Sequence, residues 1–187
     1  VSLTQTIEPV ELPVDLDDVK AHLKITDNDE DSLILGYLKA ATDFAQEYTW
    51  SQFCTSTFVE RFDRFPCMLV PMKNPLQAVT SLQYVDSGGT TQTLVDTTDY
   101  VVDPYSKPAR IYPAYSKSWP TTRGYANDVV LTYTAGYASV EAIPDEIKQA
   151  VMMLTQQMFD GVCGGNGEAM DKAIRCLLDL RSFRVFY

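Results

Sequence analysis

Between Val129 and Asp160 the chain changes hydrophobic period with hardly a linker: VVLTYTAGYASVEAIPDEIKQAVMMLTQQMFD. Val129, Leu131 and Tyr133 alternate with Val130, Thr132 and Thr134, a two-residue period of β-branched and aromatic side chains that predicts a strand. Gly136 breaks it. Pro144, followed by Asp145 and Glu146, then marks a helix start, because proline presets φ for the first turn and carboxylates are stabilised at the positive helix end. Ile147, Ala150, Val151, Leu154, Met158 and Phe159 recur at steps of three and four, so one stripe of this helix is buried. Met152 and Met153 widen the apolar face and read as gap-filling core residues. A fold that accommodates this junction must hold a sheet and a helical body in one chain, and the segment carries no catalytic polar group.

The same two periods sort the rest of the sequence. Asp15 stands where it can cap a short helix through Leu16, Val19 and Leu23, and the acidic run from Thr26 to Ser32 separates it from a second helix. That helix follows Leu33, Ile34, Tyr37, Leu38, Ala41, Phe44, Ala45 and Tyr48 and ends near Trp50. From Thr55 to about Tyr137 the period becomes two. Thr57, Val59 and Arg61 face away from Phe58, Glu60 and Phe62, Val79–Asp86 and Thr91–Val95 flank a Ser87-Gly88-Gly89 hairpin turn, and short strands are expected at Tyr100–Asp103 and Ala109–Tyr112. Pro104 and Pro108 suit edges and loops, and Tyr115–Asn127 reads as a surface loop. After the third helix, Gly161–Gly167 is a glycine-rich joint, Ala169–Leu180 is a last helix, and RSFRVFY closes the chain. The expected fold class is α+β: a small bundle of about four helices (15–50 and 144–181) with a small antiparallel sheet (55–137) inserted between the second and third, all in one domain over 1–187, with a tail at 182–187.

Chemistry is hard to assemble from these residues. Asp27, Asp29 and Asp31 imitate the first ligands of a calcium loop, but Ser32 replaces the required glycine and Leu38 the bidentate glutamate, leaving a solvated helix start. His22 is the single histidine, so no His pair can hold a metal and any nucleophile-base pair would depend on it. GVCGGNG lacks the Lys-Ser/Thr of a phosphate loop and follows a helix instead of a strand. Cys54, Cys67, Cys163 and Cys176 form no CxxC pair, and free thiols are expected. Catalytic, cofactor and metal sites are therefore expected to be absent. With 15 basic and 25 acidic residues and a net charge of −10, the chain is a poor binder of nucleic acid. The amino end lacks a basic and apolar leader, and no stretch is long enough to span a bilayer, so synthesis in the cytoplasm and no membrane partner are expected.

Taken in order, LDDVKAHLKITDNDEDSLILGYLKAATDFAQEYT, NPLQAVTSLQYVD, DYVVD, PARIYP, SWP, VVLTYTAGY and IPDEIKQAVMMLTQQMF resemble the head-tail connector, or adaptor, family of tailed bacteriophages and gene transfer agents. The resemblance implies a structural virion protein without enzymatic activity. It further implies a homo-oligomeric ring, usually of twelve copies, at the neck beneath the portal, with the portal protein above, a neck or tail-completion protein below, and DNA passing through without specific binding during packaging and ejection. Arg181, Phe183, Arg184, Phe186 and Tyr187 are the expected interface residues, because arginine and aromatic side chains anchor interfaces. The competing expectation for this tail is that it packs on its own body. Another neck or tail-completion protein, and a small-ligand or enzymatic module relying on His22, are the alternatives.

Overall fold

A computed structural model describes residues 1–7, 9, 11–161 and 168–182. The described chain runs β1 (Ser2–Ile7), α1 (Leu16–Leu23), α2 (Asp31–Thr49), β2 (Ser56–Phe62), β3 (Leu76–Val85), β4 (Thr91–Leu94), β5 (Tyr100–Asp103), β6 (Arg110–Pro113), β7 (Val129–Ala135), a 3-10 turn at Val140–Ala142, α3 (Asp145–Phe159) and α4 (Glu168–Asp179). It divides into two compact units, one comprising Val1–Pro9 with Thr55–Gly136, the other Val10–Cys54 with Tyr137–Arg184.

The helical unit forms because each helix presents an apolar stripe. Ile34, Leu38, Ala41 and Ala45 of α2 meet Ile147, Ala150, Val151 and Leu154 of α3, joined by Val19 of α1 and by Ile174 and Leu178 of α4. Asp15 occupies the cap position of α1 but its side chain makes no cap bond. The short helix ends at Lys24, whose φ is 62°. Pro144 sits one residue before α3, and its carbonyl accepts the Ile147 N–H at 3.0 Å.

The β unit holds an antiparallel five-stranded sheet of order β1-β2-β7-β3-β4 and a two-stranded ribbon, β5-β6. β7 is central: Phe58 faces Tyr133 on one side and Val79 faces Tyr133 on the other. Both β2 and β7 alternate strictly between buried and half-buried positions, so their period of two fixes the register by placing Phe58, Phe62, Val129, Leu131 and Tyr133 in one core with Leu69, Leu82, Tyr100 and Ile111. The β3-β4 turn closes as expected, with Gly89 at φ 85° and Asp86 Oδ1 accepting the Gly88 and Thr90 N–H groups at 2.9 and 3.0 Å.

The architecture is α+β with four α-helices among the described residues. One expectation needs correction. The sheet is not built solely from the segment between α2 and α3, because β1 precedes α1 and pairs with β2 from Ser2 opposite Arg61 to Ile7 opposite Thr57. An exposed edge strand needs little apolar alternation, and SLTQTI shows little.

Candidate assembly surfaces

The groups that sequence singled out for chemistry are committed to structure. His22 Nε2 lies 3.0 Å from Gln156 Oε1, tying α1 to α3. In the acidic run, the buried Lys20 ammonium pairs with Asp31 Oδ1 at 2.7 Å and donates to Asn28 Oδ1, so the run folds back on α1 as a helix start. Among the described residues no group of three His, Cys, Asp or Glu is placed to hold a metal ion, and no helix is long and apolar enough to cross a membrane. Cys67 and Cys176 are exposed free thiols, whereas Cys54 is buried. Burial, with Glu11 nearby, pushes the Cys54 thiol up to about 11.

Of the expected interface residues, Arg181 is described, whereas Phe183, Arg184, Phe186 and Tyr187 lie outside the described residues, as does Val162–Gly167. Arg181 Nη2 donates to Glu146 Oε1 at 3.1 Å, next to the start of α3. The Glu146 carboxyl is held below its usual range by its own backbone N–H and then by Arg181. Close in sequence to Arg181, Asp179 Oδ1 accepts the Tyr48 hydroxyl at 2.9 Å. The last turn of α4 is thus fastened to α2, and Arg181, two residues beyond it, to α3, within the helical unit.

Several large apolar side chains remain uncovered within this chain. On α2, Leu33, Tyr37, Ala40, Phe44 and Tyr48 recur at helical steps, with Leu33 and Phe44 exposed and Phe44 stacked on Tyr48. In the β unit Tyr105 and Tyr115 are 93% and 98% exposed, and Tyr125 lies under the Arg123 guanidinium, 4.8 Å from it. Asp128 organises this last region: with no exposed surface, it accepts Arg123 Nη2 and the Tyr125 N–H, both at 2.8 Å. Desolvation would raise its pKa, but these donors outweigh it and hold the carboxyl below the usual range.

The least expected group is Glu60, fully buried on β2 between Phe58 and Phe62. Its carboxyl oxygens lie 3.2 and 3.4 Å from the Met72 N–H, and the Tyr133 hydroxyl is a further partner. Tyr133 in turn accepts the Lys73 N–H at 3.2 Å. Burial pushes Glu60 up to about 7 against the pull of these donors, and burial followed by Glu60 pushes the Tyr133 hydroxyl well above its ordinary value. The sequence did carry a signal: alternation already placed Glu60 on the side of Phe58 and Phe62, where a carboxylate is conspicuous.

What stands out among the described residues is a set of exposed aromatic and apolar side chains and open edge strands. Residues 13–83 match the family model described as the phage gp6-like head-tail connector protein. Over that stretch the chain is similar to the head-tail connector family. The match spans α1, α2, β2 and most of β3, the region where the resemblance rests on KAHLKI, the acidic break and the long second helix. No curated protein matches the chain. Three solved structures share the fold over 100% of this chain and 98% of theirs: the neck of an empty gene transfer agent particle determined with C6 symmetry (TM-score 0.81, 24% identity), the virion of a native gene transfer agent particle (0.80, 22%), and the neck of a native particle determined with C12 symmetry (0.76, 23%). The shared fold therefore extends through the β unit, beyond the family match.

Proposed function

We propose that this protein is a structural head-tail connector of a tailed phage or gene transfer agent, located in the virion neck, where copies form a ring that joins the DNA-filled head to the tail side. The observation that carries this is the full-length likeness of fold to neck subunits, combined with the family match at 13–83. Both units act in this reading as one connector domain, the helical body and the β unit contributing different surfaces of the same ring. The C6 and C12 symmetries of the similar necks support a ring of twelve copies, and the portal protein and a neck or tail-completion protein are its two neighbours. The tail from Arg181, with Phe183, Arg184, Phe186 and Tyr187, docks on the portal or on a neighbouring subunit. Arg181 is held at the helical unit by Glu146, so the tail departs from a fixed point, which lowers the ordering cost of docking.

The protein catalyses nothing in this role. Its −10 charge suits a wall past which DNA moves without adhering. Electron microscopy of particles made with and without the protein tests the reading: density below the portal should depend on it, and an unchanged neck in its absence would refute the assignment. Mixing with purified portal and, separately, with purified tails distinguishes a connector from another neck protein. Deleting Ser182–Tyr187 should leave a folded chain that no longer joins heads.

A further inference from the structure

A ring generated by rotation joins one surface of a subunit to a different surface of the next, so each copy must carry two unlike and complementary sides. The five-stranded sheet has two such sides. β1 forms one edge and β4 the other, and among the described residues no further strand pairs with the outer side of either. An open edge offers a row of backbone N–H and C=O groups, and proteins that must stay apart blunt such edges with charge or proline. Neither device is present here. Ser2–Ile7 and Thr91–Leu94 contain no charged residue and no proline, in a chain that is 21% charged. The irregularity in β1 falls between Gln5 and Ile7, which leaves Ser2–Gln5 as a regular run of the same length as β4. Side chains along both runs are mostly exposed, with Leu3 and Leu94 half-buried.

Strand direction adds a constraint. Every neighbouring pair across the sheet is antiparallel. The four ladders in succession therefore leave β1 and β4 pointing the same way. Rotation about a ring axis that lies along the strands preserves that direction, so a copy presenting β4 to its neighbour's β1 meets it in parallel.

Resting on the ring reading above, we propose that β1 of one copy pairs in parallel with β4 of the next, so that the sheet continues from subunit to subunit. The occupant of each edge is a second copy of this chain, and recognition is by backbone hydrogen bonding with alternate side chains setting register, as in other strand additions.

Cysteine trapping on the full chain tests this directly. Thr4→Cys and Gln5→Cys sample both faces of β1, and Gln92→Cys and Thr93→Cys both faces of β4. Paired strands lie about 4.8 Å apart, within reach of a disulfide. Each β1 variant is mixed with each β4 variant under mild oxidation, and covalent dimers are mapped by peptide mass spectrometry. The expected result is a β1-to-β4 disulfide in at least one pairing, several-fold above any single variant alone, with β1-to-β1 and β4-to-β4 links at background. Absence of the β1-to-β4 link from all four pairings overturns the proposal, as does a link from the tail or another segment to either edge in its place. A second measurement separates this from the connector role: Thr93→Lys should abolish ring density below the portal. If the variant still joins heads with a normal ring, edge pairing falls and the connector reading stands. A trapped β1-to-β4 link in a protein that never joins heads has the opposite meaning: edge pairing stands and the connector role falls.

Discussion

Glu60 gives the β unit a stability that should depend on pH in a predictable direction. Its carboxyl is pushed from an ordinary 4.5 up to about 7 by burial. Below pH 4.5 the group is protonated whether the chain is folded or not. As pH rises toward 7 the unfolded chain releases this proton while the folded one retains it, so the unfolded state is favoured, and above the folded pKa the loss is complete. At about 1.4 kcal/mol per unit, the shift corresponds to roughly 3 kcal/mol lost between pH 4.5 and pH 8. Glu60→Gln keeps an acceptor for the Met72 N–H and removes the charge, so its advantage over the natural chain should grow across that interval by about the same 3 kcal/mol. Urea unfolding at several pH values measures the difference. Trp119, stacked on Phe65 in the β unit, is the reporter, in a Trp50→Phe background because Trp50 is the second tryptophan. Comparing the two chains at each pH cancels the titration of every other group. If the difference is the same at pH 4.5 and pH 8, Glu60 does not titrate as its burial requires and the reasoning is wrong.

Three further outcomes are expected. Asp128→Asn removes the charge that holds Arg123 and weakens acceptance from the Tyr125 N–H, so limited proteolysis should cut the 115–127 loop sooner than in the natural chain, with Tyr125 freed from the guanidinium above it. Gly136→Ala should destabilise by about 1 kcal/mol or more, measured by thermal unfolding, because φ at Gly136 is 123°, a backbone region that alanine rarely adopts. Thiol labelling of the native protein at pH 8 should modify the exposed Cys67 and Cys176 well before Cys54, whose thiol is buried and pushed up to about 11; equal labelling of Cys54, read by peptide mass spectrometry, would contradict its placement.

Much of this fold was legible where one period dominates. Val129–Ala135 and Ser56–Phe62 alternate because both lie in the middle of a sheet with one face in a core, and Pro144, Asp145 and Glu146 announced α3 because the start of a helix has definite chemical needs. β1 was not legible for the converse reason: with every residue but Leu3 exposed, SLTQTI has no buried face to write a pattern. The start of β3 at Leu76 instead of Val79 escaped because its ladder with β7 shifts twice, between Leu76 and Ala78 and between Val79 and Ser81, and a shifting register scrambles alternation. Arg181 donates to Glu146, 35 residues earlier in sequence. An ion pair between distant residues leaves no spacing to read.

The position of β7 has a consequence for the order in which the protein can be made. Among the described residues β7 is the last strand synthesised, yet it occupies the centre of the sheet, between β2 and β3. Until it emerges, β1-β2 and β3-β4 are separate two-stranded ribbons, a kind of structure that is marginal in water on its own. From Phe62 to Val129 a ribosome takes on the order of 3 to 15 seconds, and through that interval the inner sides of β2 and β3 are as open as the outer edges of β1 and β4. Insertion of β7 closes the inner sides and leaves only the outer ones. The sheet thus acquires its pair of single, opposite edges in the same event that completes the core of the β unit.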